Sequence, residues 1–98
     1  MGAAAAERDG DTLRVRGELD FASVAELWEA TESLLAAEPI LRIDLGGIHR
    51  ADSAGVALLV EWLRQARQRR RDLAFINVPA QMRTIIQVAD LETVLPLA

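Results

Sequence analysis

Apolar residues recur along the chain at two spacings, every second position in short segments and every third or fourth position in longer ones. Alternation over residues 13–18 predicts a half-exposed strand, which follows a turn signal at 9–11. The nearly continuous apolar segment 40–45 predicts a buried strand, and 73–76 predicts another. Residues 1–8 are expected to form a weak edge strand or a frayed end.

Helical spacing predicts three helices. The first is expected to be capped by Ser23, with Glu26 in capping-box spacing, and to end before Pro39. The second follows Ser53, and the third opens at Val78-Pro79. Their predicted buried positions are, helix by helix, Val24, Leu27, Trp28, Thr31, Leu34 and Leu35, then Val56, Leu59, Val60 and Leu63, then Met82, Ile85, Ile86 and Ala89.

The order strand, strand, helix, strand, helix, strand, helix indicates an α/β fold. We expect one domain over residues 1–98, built on a small mixed sheet of about four to five strands with three helices packed mainly on one face. The apolar residues 91–97 are expected to pack against this core.

Composition narrows the functional classes. The 98 residues are 51% hydrophobic, which argues against disorder, but no stretch approaches the roughly 20 apolar residues of a membrane span. A secretion signal would show a basic segment followed by an apolar one at the N-terminus, and neither is seen there. The chain also has no cysteine, so a cytoplasmic protein is expected. The net charge of −4 argues against nucleic-acid binding.

The step Asp52-Ser53-Ala54-Gly55 lies between a predicted strand and the second helix. Either Asp52 or Ser53 can accept a hydrogen bond from the free N–H groups at a helix start. A hydroxyl at this point lies near the positive end of the helix dipole, where a phosphate or a partner's acceptor is favoured. Ser53 is therefore the first candidate for a functional side chain.

The sequence lacks the residues that hydrolytic, metal-binding and phosphate-binding sites require. A hydrolase using Ser53 would need His49, the only histidine, as its base, and no Gly-x-Ser-x-Gly motif surrounds the serine. One histidine and no cysteine leave no ligand set for a transition metal. All eleven basic residues are arginine, so no phosphate-binding loop with its lysine is present. We expect neither catalysis nor a cofactor.

Three segments together resemble the STAS domain (sulfate transporter and anti-sigma factor antagonist). They are Gly17-Glu18-Leu19-Asp20, Ile43-Asp44-Leu45 and Asp52-Ser53-Ala54-Gly55, and the resemblance extends over about Leu13–Leu97. In anti-anti-sigma factors, one branch of this family, the serine corresponding to Ser53 is phosphorylated by an anti-sigma kinase. Ala54 departs from the second hydroxyl that is usual there.

The other branch is the small STAS subunit of Mla-type phospholipid ABC transporters, in which the corresponding hydroxyl lies against the ATPase subunit. The short chain, Trp28, the run Ala57-Leu58-Leu59 and the segment Val94-Leu95-Pro96 favour this branch. The resemblance implies an ATPase partner with a permease in the full complex, and contact with the inner membrane only through that complex. In this branch the expected contact residues are Ser53, Ala54 and Gly55. Helical spacing places Leu58 and Trp62 to one side of the buried stripe of the second helix, so both are expected along the same contact and Trp62 is expected to be exposed. Charge contacts are expected from Asp52, Arg64 and Arg67.

Overall fold

The computed structural model describes residues 4–37 and 39–98. Four strands and three helices alternate after an initial hairpin. In chain order they are β1 (Ala4–Asp9), β2 (Thr12–Leu19), α1 (Phe21–Ala37), β3 (Arg42–Ala51), α2 (Ser53–Gln68), β4 (Ala74–Ile76) and α3 (Ala80–Val88). This is the predicted element order, and the small mixed α/β fold is confirmed.

The strands form one sheet in the order β1-β2-β3-β4. The hairpin partner β1 runs antiparallel to β2 along the edge of the sheet, whereas β2, β3 and β4 are parallel. Each parallel connection passes through a helix and moves one strand in the same direction. Because such crossovers are right-handed, α1 and α2 lie on the same face.

The core lies between this face and the helices. Leu13, Val15, Ile43 and Leu45 point into it, while on the open face Arg14 is exposed and Asp44 is half-buried. The C-terminal segment also packs down: Leu95 is buried, and Leu97 bridges to β4 at Phe75. The open face therefore carries the polar half of each alternating pattern.

The third strand is longer than the sequence pattern predicts. The predicted strand segment ends at residue 45, but the glycine pair Gly46 and Gly47 and the following His49 also lie inside β3. The register with β2 shifts twice, which leaves two extra residues in β3. An added Cβ at Gly47 would lie 2.9 Å from the Cβ of Arg16, so glycine permits the close pairing at this bulge.

The first helix begins three residues earlier than predicted, because Asp20 rather than Ser23 is its cap. Asp20 Oδ1 accepts a hydrogen bond from the Ser23 amide at 2.8 Å, and Ser23 Oγ accepts one from the Asp20 amide at 3.0 Å. This reciprocal pair replaces the expected pair of Ser23 with Glu26. The Ser23 hydroxyl also donates to the Glu18 carbonyl at 2.7 Å, which joins α1 to the end of β2.

Candidate partner-binding site

The start of α2 is fixed by Asp52. Its carboxylate oxygen Oδ1 accepts a hydrogen bond from the Ala54 amide at 2.8 Å, and its backbone is extended. Its own amide donates to the Leu19 carbonyl at 3.0 Å, so the end of β2 holds the turn. Of the two cap candidates in the sequence, Asp52 is the one that caps α2.

Ser53 is the first residue of α2 and is exposed. Because Asp52 satisfies the helix terminus, the Ser53 hydroxyl is not used for capping. It makes no hydrogen bond to any residue in 4–37 or 39–98. A partner can therefore reach a hydroxyl that lies at the positive end of a sixteen-residue helix.

A groove of about 710 Å³ runs between α1 and α2, and Ser53 lies at one end of it. We call it the α1–α2 groove. Its lining is mostly apolar, and its polar groups lie on the α2 side. The lining residues are Phe21, Val24, Ala25, Trp28, Ser53, Ala54, Ala57, Leu58, Glu61 and Arg64.

Two aromatic residues of the groove were not among the contact residues expected from the sequence. Phe21 is 89% exposed at the first position of α1, outside that helix's buried stripe. Trp28 is partly buried and packs against the core while lining the groove. Helical spacing could not find Phe21, because it precedes Ser23, the predicted cap of this helix.

Glu61 and Arg64 form the charged part of the groove. Arg64 Nη2 lies 2.9 Å from Glu61 Oε2, and Arg64 Nε donates to the same oxygen at 3.2 Å. These hydrogen bonds lower the pKa of Glu61 below its ordinary value and raise the pKa of Arg64. Arg64 thus lines the groove as half of an ion pair.

Trp62 does not lie in the groove, and its expected exposure is wrong. The side chain is 1% exposed and contributes to the core. Helical spacing placed it beside the main buried stripe of α2, but α1 covers that flank, so the flank is buried as well. The indole N–H donates to Thr31 Oγ1 of α1 at 3.3 Å.

Gly55 and Leu58 are also buried, whereas a surface contact requires exposed residues. An added Cβ at Gly55 would lie 2.9 Å from the Cβ of Leu19, so this glycine allows α2 to pack against the end of β2. Leu58 is 3% exposed and forms part of the groove floor. Ala54 is partly buried beside Ser53 and lines the groove directly.

The other expected charge contacts lie outside the groove. Asp52 borders a separate hollow with Glu18, Asp20 and Arg50. Arg67 borders another one, on the far side of α2, with Val94. The α1–α2 groove is therefore lined by Ser53, Ala54, Leu58 and Arg64 but not by Asp52 or Arg67, although Arg64 also borders the hollow of Arg67.

The described residues form neither a serine–histidine pair nor a cluster of metal ligands. His49 is exposed within β3, and no hydrogen bond joins it to Ser53 in the part of the chain that the structure describes. Among the same residues, no group of three or more histidine, aspartate or glutamate side chains could hold a metal ion. None of the described helices is both long and apolar enough to cross a membrane.

An antiparallel hairpin leading into a parallel α/β sheet, with an exposed serine where α2 starts, defines a STAS-type domain. Residues 3–96 match the family model described as "Mlab, STAS domain". The chain belongs to this family of STAS domains.

Two relatives resemble the chain along most of its length. The intermembrane phospholipid transport system binding protein MlaB of Escherichia coli (strain K12) is 34% identical over 82 residues, which are 84% of this chain and 82% of the relative. A chain of the Acinetobacter MlaFEDB complex in its ATP-bound Vtrans1 conformation is 29% identical with a TM-score of 0.82, covering 96% of this chain and all of that one.

An anti-sigma factor antagonist from Mycobacterium paratuberculosis shares the fold. Its TM-score is 0.75 at 21% identity, and the match covers 96% of this chain and 82% of that chain. At this identity the likeness shows the fold alone. The two branches considered from the sequence are thus both represented among the structural neighbours.

Proposed function

We propose that this protein is a non-catalytic subunit that binds the cytoplasmic ATPase of an Mla-type phospholipid-transport ABC complex and regulates or stabilises it. The permease of such a complex would keep it at the cytoplasmic face of the inner membrane. The transport process would be the one that maintains lipid asymmetry of the outer membrane. The observation that carries the proposal is an unbonded, exposed Ser53 hydroxyl at one end of an apolar groove, in a chain 34% identical to an MlaB.

The α1–α2 groove has the surface chemistry of a docking site. Phe21 is 89% exposed although it is a large aromatic side chain, and such residues gain most when a partner covers them. Trp28 and Leu58 continue the apolar surface inward from it. The Glu61–Arg64 pair at the rim can fix the orientation of a partner more than it adds affinity.

Binding at this groove would regulate the ATPase by favouring one of its conformations. A partner that binds one conformation more tightly shifts the population toward it by its difference in affinity. No reacting group is required of this protein for such an effect.

A negative charge at Ser53 tests the interface. We expect Ser53→Asp to weaken co-purification with the ATPase, because an unpaired carboxylate would be buried against the partner. Ser53→Ala should cost less, since it loses only a hydroxyl. Because an acidic residue at the start of α2 suits the helix dipole, Ser53→Asp should not unfold the domain.

The control is Thr93→Asp, which adds the same charge at an exposed position outside the groove. It should co-purify with the ATPase as the unmodified protein does. Full co-purification of Ser53→Asp would mean that this interface is wrongly assigned.

The aromatic part of the groove is tested separately. Phe21→Ala should weaken ATPase binding by about 1–2 kcal/mol, in the range of an exposed interface aromatic. Val88→Ala on α3 is the matched control, because Val88 is 82% exposed and lies outside the groove. Equal affinities for the two variants would place the docking surface elsewhere.

The second candidate function is that of an anti-anti-sigma factor switched by phosphorylation of Ser53. The accessible, unbonded hydroxyl at the start of α2 favours it, because a phosphate there would add roughly −1.5 to −2 charges beside Asp52. A cognate anti-sigma kinase with ATP should then place one phosphate on Ser53, and none on Ser53→Ala, by mass spectrometry.

A pull-down with the tagged protein from its native cells separates the two candidates. An ABC ATPase recovered with membrane subunits agrees with the transporter role. A kinase-like ATPase recovered without them agrees with the phosphorylation switch.

A further inference from the structure

Among residues 4–37 and 39–98, no strand neighbours the last part of β3 on one side. β4 has only three residues, which pair with Arg42–Asp44, and the described chain adds no further strand alongside the remaining part of β3. Successive backbone amides of a strand point to opposite sides. The Asp52 amide points toward β2, where it donates to the Leu19 carbonyl, so the Ala51 amide points toward the empty side.

A side chain of α3 takes the place of the missing strand. Gln81 Oε1 accepts a hydrogen bond from the Ala51 amide at 2.9 Å. Ala51 is 3% exposed, so water has little access and its amide depends on a protein acceptor. The backbone directly before Ser53 is therefore held from two directions, by Leu19 on β2 and by Gln81 on α3.

We infer that Gln81 is a positioning residue of the Ser53 site. It fixes the direction in which the chain leaves β3, and thereby the point where α2 begins and where the Ser53 hydroxyl is presented. The docking consequence of this inference rests on the proposed function, whereas the positioning itself does not.

The position of Gln81 indicates that its side chain acts mainly through its hydrogen bond with the Ala51 amide. It is the second residue of α3 and is exposed as a residue, so it contributes little to the core. Its one hydrogen bond within the described residues uses the acceptor oxygen. The buried residues of α3, Met82 and Ile86, hold the helix in place independently.

The test compares two substitutions of nearly equal length. Gln81→Met removes the acceptor, whereas Gln81→Glu keeps an acceptor oxygen at the same reach. Gln87→Met is the control, since Gln87 is exposed on the same helix and makes no side-chain hydrogen bond within the described residues. The isolated domains are compared by NMR, and their affinities for the ATPase by titration.

With Gln81→Met we expect hydrogen exchange at the Ala51 amide to accelerate by about tenfold or more, because local opening no longer breaks a bond. The amide resonances of Asp52 and Ser53 should shift, and the affinity for the ATPase should fall several-fold. Gln81→Glu should restore all three, and Gln87→Met should change none.

Unchanged Ser53 resonances in Gln81→Met would overturn the inference, whatever the ATPase result. Shifted resonances with undiminished affinity would overturn its docking consequence, provided that Ser53→Asp does weaken binding. If neither the unmodified protein nor any variant binds the ATPase, the proposed function fails, while the resonances of Ser53 still decide whether Gln81 positions it.

Discussion

Trp62 donates its indole N–H to Thr31 Oγ1 at 3.3 Å, and this bond joins α2 to α1 inside the core. Thr31 in turn donates its hydroxyl to the Leu27 carbonyl at 2.9 Å. The two side chains are 1% and 0% exposed, so neither can exchange this bond for water. They therefore hold together the two helices that form the α1–α2 groove.

Removing the acceptor alone should be costly. Thr31→Val leaves the buried indole N–H unpaired, and we expect the free energy of unfolding to fall by about 1–3 kcal/mol. Trp62→Phe should also destabilise the protein, but the double variant should lose less than the sum, because no orphaned N–H remains. Urea unfolding of all four proteins measures this coupling, and strictly additive losses would show that the bond contributes nothing.

The two tryptophans should report on different regions. A protein carrying Trp62→Phe retains only Trp28. Acrylamide should quench the fluorescence of Trp28, and an ATPase bound in the groove should protect it from quenching. A protein carrying Trp28→Phe retains only Trp62, which should resist quenching with or without the partner, since it is 1% exposed. Equal protection of both by the partner would contradict docking at the groove.

Helical periodicity predicted the helices well, because each helix has an apolar face that packs against the core. β3 was harder to predict, since its buried residues Ile43, Leu45, Ile48 and Ala51 follow spacings of two, three and three. Two bulges against β2 produce these spacings. A strand whose register depends on its neighbour carries no strict two-residue period of its own.

The features of the site that depend only on residues adjacent in the sequence could be predicted. A helix cap at Asp52 or Ser53 follows from a strand-to-helix step, and the structure shows that Asp52 is the cap. Trp62 was misplaced because helical spacing defines an angle around α2 but not the width of the surface that α1 covers. Phe21 and Gln81 could not be found in this way, because their roles depend on which elements pack side by side.

Gly55 should not tolerate a methyl group. Alanine normally favours a helix over glycine, but here its Cβ would lie 2.9 Å from the Cβ of Leu19. We expect Gly55→Ala to reduce the free energy of unfolding by about 1–3 kcal/mol, as overpacking does. The Leu19→Ala background keeps this Cβ and removes only the Cδ1 at 3.3 Å, so the added methyl should cost nearly as much there; a much smaller cost would assign the clash to the end of the Leu19 side chain.

The arginine-rich end of α2 combines one structural residue with solvent-exposed ones. Arg71 Nη1 donates to the Leu35 carbonyl of α1 at 2.9 Å, at a helix end that has no basic residue of its own. Arg71→Ala should therefore reduce stability by about 1 kcal/mol. The exposed Arg67 makes no such bond in the described chain, and Arg67→Ala should stay within about 0.5 kcal/mol in thermal or urea unfolding.

The start of α1 should make stability depend on pH. The Ser23 amide donates to the Asp20 carboxylate and holds the pKa of Asp20 below its ordinary value of 3.8. Because the folded state favours the ionised form, this stabilisation is present above the unfolded pKa and is lost as the pH falls through the lower folded pKa.

Asp20→Asn should therefore make the free energy of unfolding less dependent on pH below about 5. Ser23→Ala keeps the backbone amide that is the main cause of the shift, so it should retain most of the dependence. The control is Asp72→Asn, which changes an exposed carboxyl without a hydrogen bond in the described chain. Urea unfolding across this pH range decides the matter: an acid limb in Asp20→Asn as steep as in the unmodified protein would assign the pH dependence to other carboxyls.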